Sequence, residues 1–272
     1  MAISLDDRGF NYGDGLFETM AVVGGDISLL DYHFARLKRG LAALKINICI
    51  ETLRPQVMNE LKLPQATGDN YILKLIVTRG VGGRGYAFDN NLPGCVYFRH
   101  CPWPNYPVKN SQQGVITRLC QLRLAQQPAL AGIKHLNRLE QVLARQEWQD
   151  SEIAEGLLLD SAGNLIEGVS SNIFLVKGKT LLTPKLDQCG VAGVMRAYLI
   201  QLAQQFDLQV AEVQLQLEQV RQADEVFICN SVIGIWPVIK IINCCDKCVG
   251  QVTKALQYAL AKRLGWVISG SR

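Results

Sequence analysis

Two periodicities of apolar positions organise the chain, and each predicts a different kind of element. Runs with β-branched residues at alternating positions predict strands over Phe17–Val23, Tyr71–Thr78 and Cys95–Cys101, with Gly24-Gly25 as a hairpin turn leading to Ile27–Leu30. Helical spacing of Phe34, Leu37, Leu41 and Leu44 behind a capping Asp31 predicts a helix. A second helix is expected over Glu51–Leu61, with Pro55 tolerable only near its first turn. Further strands follow near Val115–Leu122, Gly156–Leu159, Ile173–Val176, Leu181–Pro184 and Ala223–Ser231, and helices open at Gly190 and Gln251. Pro102, Pro104 and Pro107 interrupt regular structure, so the boundary is expected there: an N-terminal domain over 1–105, a linker over 106–114 and a C-terminal domain over 115–272.

The stretch Gly132–Glu140 breaks this alternation by setting one lysine beside a helix start. Asn137 and Glu140 read as a capping box, and Leu139, Val142 and Leu143 as the apolar face that follows. Lys134, with Leu130, Ile133 and Leu136 around it, is then a candidate for a depressed pKa and for bonding a carbonyl carbon. An ordinary surface lysine is the alternative reading.

Composition narrows the class. At 272 residues and 49% apolar content the chain can bury a sizeable core. A net charge of +4, scattered, does not argue for nucleic acid but suits anionic small molecules. The N-terminus lacks a secretory pattern and no apolar run is long enough to span a membrane, so a soluble, cytoplasmic protein is expected. Nine cysteines read as free thiols. The cluster Cys244–Cys248 has one Cys-x-x-Cys spacing but no second pair for zinc, so no metal is expected.

Four other features carry possible chemistry. Arg36 lies among the apolar residues of its helix, as a solvated charge or an anion ligand. The glycine-rich run Arg79–Tyr86 is either a flexible loop or a carboxylate-binding one, with Arg84 offering a planar fork of donors. Glu167 stands between Ile166 and Gly168, a surface glutamate unless it has a partner. Gly190–Arg196 leads into a helix whose first amides would suit an anion.

An amine, a carboxylate and several phosphate donors are the set that pyridoxal phosphate requires. The motifs Asn11–Thr19, Arg79–Tyr86, Leu130–Leu143, Thr183–Asp187 with Gly193–Arg196, and Ala223–Glu225 with Ile228–Asn230 resemble those of the fold-type IV pyridoxal-phosphate enzymes, and within them the aminodeoxychorismate lyases. The resemblance implies a two-domain α/β (α+β) fold, with a smaller N-terminal domain and a larger C-terminal domain built on a barrel-like sheet. It implies a homodimer, a small-molecule substrate, and conversion of 4-amino-4-deoxychorismate to 4-aminobenzoate and pyruvate in folate synthesis. Lys134 would bond the cofactor aldehyde, and Glu167 would face the ring nitrogen. Arg36, the amides of Val194 and Met195, and Ser231 would hold the phosphate. Arg84, Tyr86 and Asn230 would meet the substrate. The alternative is a branched-chain or D-amino-acid aminotransferase. Against it, Arg138 stands near a position where aminotransferase relatives carry a tyrosine, and Met195 where they carry a threonine.

Overall fold

Alternation along β1 (Gly15–Val23) sends Leu16, Glu18, Met20 and Val22 to one buried face, and the helix that follows in sequence packs on that strand. The computed structural model describes residues 3–63 and 68–265. The chain divides into two compact units, one running to Pro104 and including Ile133–Arg138, the other formed by Asn105–Gly132 and the chain from Leu139 onward.

The N-terminal unit begins with a short helix, α1 (Arg8–Tyr12). Asp7 caps it by accepting from the amides of Gly9 and Phe10, and Gly13 ends it at a φ of 65°. After β1 come β2 (Asp26–Ile27), α2 (Leu30–Leu44), α3 (Ile50–Glu60), β3 (Tyr71–Thr78) and β4 (Cys95–Pro102). Among the described residues these strands form a four-stranded antiparallel sheet in the order β2-β1-β3-β4. Asp31 is not the cap of α2. Leu29, in the left-handed region, holds that position, while Asp31 lies in the first turn and pairs with Arg54 at 2.7 Å. Close helix-to-strand approach needs Gly40, where a Cβ would lie 2.7 Å from the Leu16 side chain.

The C-terminal unit runs through α4 (Lys109–Gln112), β5 (Val115–Leu124), α5 (Leu139–Arg145), β6 (Ile153–Asp160), β7 (Leu165–Gly168), β8 (Asn172–Lys177), β9 (Thr180–Pro184) and α6 (Val194–Ala203). It continues through β10 (Gln209–Val213), α7 (Leu217–Gln222), β11 (Glu225–Asn230), β12 (Gly234–Ile242), β13 (Cys245–Asp246) and α8 (Gln251–Leu264). Its sheet runs β10-β9-β8-β11-β12-β5-β6-β7, with β13 on β12. A bridge from Leu165 on one edge strand to Leu215, just past the other, with Leu165 N–H donating to the Leu215 carbonyl at 2.7 Å, curls the sheet round on itself. Val115, Leu157, Leu165, Ile173, Leu175, Ile228 and Val238 fill the core it encloses.

Two expectations are revised. The stretch read as a linker over 106–114 contains α4 and belongs to the C-terminal unit. β12, which no expectation from the sequence covered, runs through Pro237 and Lys240. A register shift between Val238 and Lys240 in its pairing with β5 accommodates them. Asn137 and Glu140 form no capping box. Asn137 donates to the Gly13 carbonyl at 3.1 Å, and Glu140 accepts from the Ala125 amide at 2.8 Å. The helix therefore starts at Leu139, five residues after Lys134, and Leu139, Val142 and Leu143 are exposed rather than core-facing.

Candidate active site

In the N-terminal unit the lysine segment is an added piece of sheet. Phe17 N–H donates to the Lys134 carbonyl and Leu136 N–H to the Gly15 carbonyl, both at 3.0 Å, so Lys134 is fixed by its backbone against the start of β1. Gly15 is required there, since a Cβ would meet the Val77 carbonyl at 2.4 Å and Leu136 at 2.7 Å. The half-buried Lys134 amine stands 4.5 Å from the centre of the Phe17 ring.

Arg36 is 4% exposed, which removes the solvated-charge reading. It lies on the buried stripe of α2 with His33, Leu37, Gly40 and Leu41. Its Nε donates to Glu18 Oε1 at 2.8 Å and its Nη2 to Oε2, while His33 Nδ1 lies 2.6 Å from Oε2. Burial would push the Glu18 carboxyl up; the Arg36 charge and the bonds from Arg36 and His33 prevail and hold it at about 2. Burial lowers the His33 pKa, opposed by Glu18 and reinforced by the positive Arg36 and Lys134. The resulting group carries one ionised carboxylate against a guanidinium and an amine, an environment that favours an anion. His33 Nε2 is buried with no partner among the described residues.

Sequence reasoning passed over Glu18 and His33. The available signal was positional: His33 and Arg36 sit three residues apart on the apolar stripe of α2, and Glu18 alternates with Leu16 and Met20.

The 79–86 run is ordered by buried charge. Arg79, also 4% exposed, pairs with Asp14 through Nε at 2.7 Å and Nη2 at 3.0 Å, and donates to the Leu44 and Lys45 carbonyls at the end of α2. Arg84 and Tyr86 are exposed.

In the C-terminal unit Glu167 is buried on β7, not at the surface, and accepts from the Val191 amide at 2.8 Å. Asn172 donates to the Val191 carbonyl at 2.9 Å, and the 190–192 segment also pairs with Gly132. The segment leads straight into α6, whose first residues, Val194 and Met195, are buried and which no side chain caps. Its first amides therefore lack intrahelical acceptors. A Cβ at Gly193 would fall 1.9 Å from Asn172 Oδ1, so any larger residue would have to push that side chain off the Val191 carbonyl.

Nearby, Asn230 donates to the Ser170 carbonyl at 3.0 Å and accepts from the amides of Val232 and Ile233, which makes it an organiser of the turn before β12. Ser231 is half-buried in that turn. Glu155, unnoticed in sequence, is buried and accepts from the Ser170 amide and the Ser170 and Ser171 hydroxyls. Burial raises its pKa against these neutral donors. The nine cysteines are unpaired. Among the described residues no helix is long and apolar enough to cross a membrane.

Aminodeoxychorismate lyase of Vibrio harveyi is 34% identical over 94% of each chain. A putative branched-chain-amino-acid aminotransferase of Methanocaldococcus jannaschii is 32% identical over 94% of this chain and 88% of its own. The crystal structure of 4-amino-4-deoxychorismate lyase from Pseudomonas aeruginosa superposes with a TM-score of 0.93 at 46% identity, covering 97% of this chain and 96% of that one. The Amino-transferase class IV profile matches residues 15–241, and the chain belongs to that family.

Proposed function

We propose that the chain is a pyridoxal-phosphate-dependent carbon–oxygen lyase that converts 4-amino-4-deoxychorismate to 4-aminobenzoate and pyruvate, acting as a homodimer. The observation that carries this reading is full-length likeness to lyases of that name in a chain that retains Lys134, Glu167 and the uncapped start of α6. The donor chemistry fits the cofactor. Lys134 would offer an amine for the aldehyde, Glu167 a buried carboxylate for the ring nitrogen, and Arg36, the Val194 and Met195 amides and Ser231 would hold the phosphate. The orphaned His33 Nε2 is a feature that a bound anionic group would explain.

When bound, the cofactor supplies an electron sink beside the substrate's amino nitrogen. Lys134, pinned at its backbone, takes the proton from the ring carbon bearing that nitrogen. The electrons of the broken C–H bond enter the ring as the C–O bond to the enolpyruvyl group breaks. The ring becomes aromatic and the departing enol gains a proton to become pyruvate. All atoms of the substrate reappear in the two products, so no oxidant or reductant is consumed. Aromatisation drives the elimination, leaving the protein to position groups and hold charge. The two substrate carboxylates fall to Arg84 and Tyr86, with Asn230 as a further polar contact.

A second reading, an aminotransferase, has the archaeal relative in its favour. Arg138 and Met195, in place of the tyrosine and threonine noted above, weigh against it. Incubation with 4-amino-4-deoxychorismate should yield 4-aminobenzoate and pyruvate in equal amounts and nothing from Lys134→Ala. Transfer from an amino acid to 2-oxoglutarate without 4-aminobenzoate would overturn the lyase.

A further inference from the structure

The run from Gly82 to Phe88 has no regular structure, is mostly exposed and contains three glycines, yet its backbone is wound around one buried side chain. Arg8, 3% exposed, donates from Nη1 to the carbonyls of Gly83 at 3.5 Å, Gly85 at 2.9 Å and Ala87 at 3.3 Å, and from Nη2 to that of Tyr86 at 3.2 Å. Its charge is balanced by Asp14, 3.1 Å from Nε, the same carboxylate that Arg79 holds. The guanidinium is also covered by the rings of Tyr12 at 4.9 Å and Phe88 at 5.8 Å. Tyr12 Oη accepts from the Gly85 amide at 3.0 Å, and its ring meets that of Tyr86 edge-on at 5.6 Å. A Cβ at Gly82 would lie 2.7 Å from Arg8 Cδ, so the loop closes on the arginine stem as well.

A planar fork that serves several carbonyls at once can fix a loop that makes no ladder of its own. Among the side chains this loop exposes are Arg84 and Tyr86, those assigned above to the substrate carboxylates. We infer that Arg8 is a positioning residue for substrate: it never meets the ligand, but it sets the backbone from which Arg84 and Tyr86 reach a dicarboxylate. The inference rests on the lyase reading for the identity of the substrate, and on the loop alone for the positioning.

The test compares Arg8→Lys, Arg84→Ala and the double variant with wild type as holoenzymes. Lysine keeps the charge for Asp14 but cannot serve the same set of carbonyls. Arg8→Lys is expected to raise KM for 4-amino-4-deoxychorismate about tenfold with kcat changed less than about threefold, the pattern of lost binding rather than lost chemistry. The double variant should be no worse in KM than Arg84→Ala, because a loop without Arg84 has little left to position. Trypsin should cleave the Arg84–Gly85 bond faster in Arg8→Lys than in wild type, well below either thermal midpoint. Tyr12→Phe removes one hydrogen bond from the same loop without disturbing buried charge, and should move KM and cleavage the same way by about twofold; it decides the matter if Arg8→Lys does not fold.

Chorismate, which keeps both carboxylates and lacks the amino group, provides a titration independent of turnover. Its affinity should fall about tenfold in Arg8→Lys and no further in the double variant than in Arg84→Ala. Unchanged KM and chorismate affinity in folded Arg8→Lys, multiplicative effects in the double variant, or no chorismate binding to wild type would overturn the proposal. Failure of wild type to form 4-aminobenzoate would instead overturn the lyase reading, leaving the titration and the cleavage rates to judge Arg8.

Discussion

Glu18 in the N-terminal unit and Glu155 in the C-terminal unit are both buried carboxylates, and their surroundings push them in opposite directions. Around Glu18 stand a guanidinium and an imidazole, so the ionised form prevails in spite of burial. Around Glu155 stand hydroxyls and amides, which soften burial without overcoming it. The contrast extends beyond the two residues. The N-terminal unit fixes its buried arginines with charge, through Glu18 with Arg36 and Asp14 with Arg8 and Arg79. Around Glu167 the C-terminal unit works with backbone shape, through the Val191 amide on Glu167 and the glycine at 193 beside Asn172. Burial alone thus does not tell what a carboxylate does; the charge of its partners does.

The strongest way to break this comparison is to remove one charge. Glu18→Ala leaves Arg36 buried without its counter-ion and should cost about 3–5 kcal/mol, read as a shift in the urea midpoint. A change below about 1 kcal/mol would mean that the Glu18 cluster is not held by charge.

Acid should reveal the same difference in wild type. The Glu18 carboxyl sits at about 2 against an ordinary 4.5, so its contribution is present above about pH 4.5 and is lost as pH falls toward 2. That loss is on the order of 3 kcal/mol. The raised pKa of Glu155 acts with the opposite sign, favouring the fold below its ordinary value and withdrawing that as pH rises through the folded one. Unfolding free energies measured across this range should fall toward low pH in wild type and flatten in Glu18→Gln. A fall of equal size in the variant would assign the acid limb elsewhere.

Shape is the weak point of the other unit. Gly193→Ala forces Asn172 aside and should cost about 1–3 kcal/mol, with pyridoxal phosphate held about tenfold more weakly by absorbance titration. Unaltered cofactor affinity would separate that glycine from the phosphate. The smallest effect expected is that of Glu155→Gln, about 1 kcal/mol at pH 5. The deficit should shrink as pH rises, because burial penalises the ionised wild-type carboxylate and the amide bears no such cost. A loss as large as that of Glu18→Ala would erase the distinction.

Much of the sheet architecture was legible because it is written in local periods. β3 spans Tyr71–Thr78 as its alternation predicts, and α8 spans Gln251–Leu264 as its spacing does. β7 and β12 were hidden for opposite reasons, β7 by having only four residues and β12 by a proline inside a nearly continuous buried run. The exposed stripe of α5 shows the limit of pattern reading, since helical spacing says that three residues share a face but not that the face is covered.

The sequence by itself determined most of the order of strands and helices, the lysine segment between them and the motifs that tie the chain to its family, because spacing and residue type are local properties. Only the tertiary structure decided that Arg36, Arg8, Glu18 and Glu167 are buried, and which groups answer them. The protonation and reach of a charged side chain depend on neighbours brought from distant parts of the chain, and no period in the sequence records them.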